Sequence, residues 1–139
     1  MDGDIKMPEK ISLIDKYIKE INEDLKLESW DIKKAQLQLP SKKHKWVGIL
    51  VRHKRELFVL RERKENFLKT AISSAKSKIS ISPQQLRKQA ESSDILSSVN
   101  YEIKELELVI ELLEKTEKVF QSMTYDIKNI IDIMKMEQM

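Results

Sequence analysis

Apolar and polar positions along this 139-residue chain recur mostly with a helical period rather than a strand period. From residue 9 to 28, Ile11, Ile14, Ile18, Ile21 and Leu25 follow alternating spacings of three and four, with Leu13 and Tyr17 beside them. That predicts one apolar stripe on a helix. Residues 29 to 41 break the rhythm: Ala35, Leu37 and Leu39 alternate with Gln36 and Gln38, and Pro40 favours an extended Leu39. The pattern predicts a connector there, with room for one short strand over 33–40. From Ser41, an N-cap candidate, to about Ile79 no proline intervenes and Gly48 is the one glycine, so a single long helix is predicted. Trp46, Leu50, His53, Leu57, Leu60 and Phe67 share one side at heptad-like spacing, with Ile49, Leu68 and Ile72 at its margins. Trp46 and Phe67 are therefore expected in the core.

Ser80 to Pro83 reads as a break, with Ser82 as N-cap and Pro83 at the first helical position of the next segment. Residues 83–93 fit a short helix or a loop. After Asp94 the longest periodic element begins: Val99, Ile103, Leu106, Ile110, Leu113, then Phe120, Ile127, Ile131 and Met134 keep the three-four alternation, which Glu117 and Thr124 interrupt. Leu108, Val109, Leu112, Val119, Met123 and Ile130 widen that surface beyond what one short partner helix covers, so self-association is expected. Leu106, Ile110, Leu113, Phe120, Ile127, Ile130, Ile131 and Met134 are the candidate oligomerisation residues. The expected fold is all-α in a single domain over 1–139. It comprises an N-terminal helix and connector (1–41), a basic helix (42–82) and C-terminal oligomerisation helices (83–139).

Composition narrows the function classes. Two glycines and three prolines among 35% charged residues leave too few turn-formers for sandwiches, barrels or Rossmann folds. Without cysteine there is no disulfide framework, thiolate nucleophile or Cys-ligated zinc. No apolar run is long enough to span a bilayer, and the start lacks the basic and apolar regions of an export signal, so a cytoplasmic protein without membrane contact is expected.

Charge is unevenly placed. Residues 1–32 carry 5 Lys and 9 Asp or Glu, residues 33–89 carry 16 Lys or Arg against Glu56, Glu62 and Glu65, and residues 90–139 carry 5 Lys and 11 Asp or Glu. A basic block between acidic ends is the footprint of a polyanion-binding surface. Lys42, Lys43, Lys45, Arg52, Lys54, Arg55, Arg61, Arg63, Lys64, Lys69, Lys76 and Lys78 are its candidate nucleic-acid contacts. Contacts of this kind release counterions and carry little sequence preference. Trp30 and Phe58 are open to base stacking or to the core.

Catalytic chemistry is not written into the chain. Gly3 and Gly48 are isolated, so no phosphate-cradling loop is present. His44 and His53 lack metal-ligand spacing, and no serine sits in a nucleophile elbow. The nearest approach to a magnesium nuclease is Asp24, Glu28, Asp31 and Lys33, which would need a sheet to hold them. No enzyme, metal or cofactor is expected.

Several short motifs, in order, resemble the UvsY family of recombination mediators from T-even-like bacteriophages. Lys45-Trp46 followed by Lys54-Arg55-Glu56-Leu57 is similar to the family's Lys-Trp pair and downstream basic-basic-Glu-apolar run. Leu68-Lys69 sits where the family begins its Leu-Lys-x-Arg-Leu DNA-binding stretch, and Tyr125 to Asp132, with Glu137 beyond, looks like its aromatic-x-Ile-Lys-x-Ile-x-Asp ending. The arginine expected two residues after Lys69 is Ala71, and Ser73-Ser74-Ala75 replaces an aromatic pair. Arg61, Arg63, Lys64, Lys76 and Lys78 are candidates for the compensating charge. The resemblance implies a non-enzymatic mediator that binds single-stranded DNA, loosens a single-stranded DNA-binding protein and helps load a RecA-like recombinase, in the host cytoplasm. It also implies a hexameric or heptameric ring. The rival reading is a helical adaptor whose basic segment meets an acidic protein or membrane.

Overall fold

The computed structural model describes residues 12–28, 31–76 and 82–138. They form four helices: α1 (Leu13–Asp24), α2 (Ile32–Lys76), α3 (Pro83–Glu91) and α4 (Asp94–Glu137). Among the described residues there is no strand, so the fold is all-α.

The helix ends follow from local chemistry. Ser12 caps α1, its hydroxyl oxygen accepting the Asp15 amide at 3.2 Å, and Ser82 caps α3 by accepting the Gln85 amide at 3.2 Å ahead of Pro83. Each satisfies a donor that has no partner inside the first turn. Between α3 and α4, Ser93 donates its hydroxyl to the Ala90 carbonyl at 2.7 Å.

The connector expected over 33–40 is instead the first part of α2, and Pro40 lies inside the helix with its ring exposed. Ser41 is consequently no N-cap; its hydroxyl donates back to the Gln38 carbonyl at 3.0 Å. The physical reason is visible in burial. Ile32, Leu39 and Trp46 are all buried, and their seven-residue spacing extends the apolar seam of α2 backwards through the supposed connector. Burying that seam outweighs the local preference of the residue before proline for extended backbone.

Contacts divide the chain into two compact units, residues 1–50 with 111–139 and residues 51–110. In the first, Ile21, Leu39, Trp46 and Leu50 form a core with Leu113, Phe120, Met123 and Ile127. Successive grooves there are lined by Lys43 with Glu117 and Phe120, then by Gln36 with Thr124 and Ile127, so these portions of α2 and α4 run antiparallel. In the second, Leu57, Leu68, Leu86, Leu96, Ile103 and Val109 are buried. Each fully buried aliphatic or aromatic side chain contributes roughly 1.5–3 kcal/mol. Phe67 departs from expectation: it is 38% exposed while Leu68 is fully buried. An α-helix drifts about 20° per heptad, so over five heptads from Ile32 the seam rotates off position 67 and onto 68.

Candidate nucleic-acid interface

The basic residues of α2 fall into two groups with different surroundings. Within the first unit, Lys42, Lys43 and Lys45 are already engaged. Lys45 Nζ lies 2.9 Å from Asp24 Oδ2 and 3.0 Å from Glu20 Oε2, and stands 4.8 Å over the Trp46 ring. Trp46 donates its indole N–H to the same Asp24 oxygen at 2.8 Å, and Tyr17 meets the Trp46 ring edge-on at 5.6 Å between centroids. Lys42 donates to the Asp24 backbone carbonyl at 3.2 Å, and Lys43 to the Thr124 hydroxyl at 2.7 Å.

Burial would raise the Asp24 pKa, but the bonds from Lys45 and Trp46 and the nearby lysine charges outweigh it and hold the carboxyl below its ordinary value. Burial likewise works against the Lys45 ammonium, and the bonds to Asp24 and Glu20 overcome it, so that pKa is raised. Asp24 is thus a polar staple between α1 and α2, and among the described residues no group of three carboxylate or histidine side chains is placed to hold a metal.

The second group lies in residues 51–110. Arg61 pairs with Glu107, and Arg87 with Glu65 at 2.7 Å and Glu91 at 3.3 Å. The bond from Arg87 lowers the Glu65 pKa, and Arg87 is correspondingly raised. Arg52, Arg55 and Arg63 behave differently: all three are exposed, and none has an ion pair or hydrogen bond among the described residues. They line one groove of about 420 Å³ together with Val59, Leu60 and Leu106. Lys54 and Lys69 are exposed and Lys64 half-buried. The side chain of Lys76, and all of Lys78 and Trp30, lie outside the described residues.

Phe58 is 64% exposed on α2, and a helical turn places it next to Lys54, Arg55 and Arg61 on the same surface. An exposed aromatic ring among cations is the arrangement on which unpaired bases stack. Its exposure separates it from Trp46, whose ring is core and whose spacing continues the buried seam.

Of the residues expected to oligomerise, Ile110, Leu113, Phe120 and Ile127 are buried within the chain's own units. Leu106, Ile130 and Ile131 are half-buried, and Met134 is exposed. Exposed apolar side chains of α4 absent from that set include Leu108, Val119, Tyr125, Ile133 and Met136. Helical periodicity finds an apolar stripe but does not say which part of a wide one the chain itself covers.

No protein-family model matches the sequence, and no curated protein sequence matches it. Solved structures do. The crystal structure of the bacteriophage T4 recombination mediator protein UvsY in lattice type IV superposes with a TM-score of 0.79 at 14% identity, covering 89% of this chain and 98% of that one. The lattice type II structure gives a TM-score of 0.73 at 13% identity, covering 94% and 100%. The shared feature is the all-α fold, end to end.

Proposed function

We propose that this chain is a recombination mediator of the same kind: a non-enzymatic helical protein that binds single-stranded DNA and helps a RecA-like recombinase displace a single-stranded DNA-binding protein from it. The observation that carries the reading is the fold likeness to a recombination mediator over nearly the whole length of both chains. Three features of this chain support it. The basic density is concentrated on one helix, part of it is unpaired as a phosphate-binding surface requires, and Phe58 offers a stacking face beside it.

The mechanism rests on multivalency. One protomer offers a handful of weak phosphate contacts, whereas a closed ring of six or seven offers many to one strand at high effective concentration. The apolar side chains left exposed on α4 supply the surface for such an assembly. A strand held at many points bends to follow the ring, which strips contacts from a competing coat protein and presents the strand to the recombinase. Among the described residues no helix is long and apolar enough to cross a membrane.

Strand exchange by a RecA-like recombinase on DNA precoated with its single-stranded DNA-binding protein is the test. The chain is expected to shorten the lag of the reaction. Strand exchange unchanged by a chain that nevertheless binds DNA would reduce it to a passive coat and overturn the mediator reading.

A further inference from the structure

We infer that the groove on the second unit is a subsite for one nucleobase of a single-stranded nucleic acid, the neighbouring phosphates being held by Arg52, Arg55 and Arg63. This deepens the single-strand reading above and rests on it. The argument begins with what those arginines lack. Elsewhere on the described helices Lys45, Arg61 and Arg87 have found carboxylates, whereas these three guanidinium groups line one opening and have no partner among the described residues. A planar guanidinium fork matches phosphate bidentately and also stacks on a base face.

The floor decides what kind of anion enters. Val59, Leu60 and Leu106 line it, and about 420 Å³ falls within the ~300–1,000 Å³ of pockets that take small ligands. A bare phosphate gains nothing from an apolar floor; a base buries its faces there. Glu56 and Glu102 line the same groove, and Glu102 has no ion pair among the described residues. A carboxylate side chain entering from an acidic peptide would meet two like charges as it lost water. A neutral base would instead offer N–H donors to them, as cytosine does through its exocyclic amine. A paired duplex keeps its bases stacked inside, so the groove favours an unpaired strand.

Along α2, Arg55 precedes Arg63 by eight residues, or roughly 12 Å at the helical rise of 1.5 Å per residue. The cations therefore flank Val59 on both sides along the helix.

The test uses the full-length chain, labelled oligo-dC and an abasic phosphodiester strand of equal length, with binding read by fluorescence anisotropy across a salt series. Wild type is expected to hold oligo-dC several-fold more tightly than the abasic strand. The R52Q/R55Q/R63Q variant is expected to bind with a slope of log affinity against log salt flatter by about 2, because each lost single-strand phosphate contact removes about 0.7. Val59→Ser, an uncharged change at an exposed position, is expected to erase the preference for bases while keeping the slope; far-ultraviolet circular dichroism verifies that both variants remain helical.

Equal wild-type affinity for the two strands, or an unchanged slope in the triple variant, overturns the subsite while leaving single-strand binding in place. Failure of wild type to bind either strand at low salt overturns both. A glutamate-rich peptide that binds wild type more tightly than oligo-dC, and does so through the three arginines, would assign the groove to an acidic protein instead.

Discussion

Asp24 shows how one side chain ties local chemistry to the fold. It accepts from Trp46 and pairs with Lys45, and its pKa lies below the ordinary 3.8. A carboxyl depressed in the folded state adds stability that is full at neutral pH and is lost as pH falls from about 3.8 through the lowered value. Asp24→Asn should therefore lower the urea midpoint at pH 7 by the equivalent of about 1 kcal/mol, the exposure of Lys45 keeping the figure small, and should flatten the loss on acidification. Equal acid sensitivity in wild type and variant would contradict the assignment. Neighbouring positions on α2 give a second contrast: Leu68→Ala should cost ~2–5 kcal/mol, whereas Phe67→Ala, at a 38% exposed site, should cost less than about half of that. Chemical denaturation of the two variants checks the order. That contrast also marks where reading the sequence fails. The heptad-like spacing puts Phe67 on the stripe and Leu68 at its margin, and only the accumulated drift of the helix over five heptads determines which one is buried.

At the scale of elements, α1, the Ser82-Pro83 start of α3 and the stripe of α4 were legible because capping residues and a three-four alternation carry their own physical signature. The beginning of α2 was not. Pro40 and the alternation of Leu37 and Leu39 with glutamines spoke locally for extended chain, while the opposing signal, Ile32-Leu39-Trp46 at heptad spacing, is only decisive once there is a core to bury it in. The site was legible as a basic block but not as an interface, since pairing with Glu20, Asp24, Glu65 and Glu107 depends on helices brought together from far along the chain. Within α2, Gly48 is an interior helical residue, and a Cβ built there meets nothing within 4 Å. Gly48→Ala should stabilise the protein by about 0.5–1 kcal/mol, read as a rise in thermal midpoint; a fall would mean that the open space is occupied in solution.

For the whole molecule, the exposed apolar end of α4 and the basic surface of α2 make a joint demand. Light scattering should find a multimer, and Met134→Asp or Ile131→Asp, at exposed and half-buried positions, should dissociate it without melting the helices. Ile127→Asp is a poorer probe, because that side chain is 2% exposed and its loss would unfold the first unit. A monomeric wild type would remove the ring from the mechanism. The central claim, that an unpaired cationic helix surface grips an exposed strand, is tested most directly by the affinity of the wild-type chain for equal-length single- and double-stranded oligonucleotides measured against salt concentration. The account predicts tighter binding to the single strand, with log affinity falling steeply and linearly in log salt. Absence of binding at low ionic strength, or an affinity indifferent to salt, would contradict it.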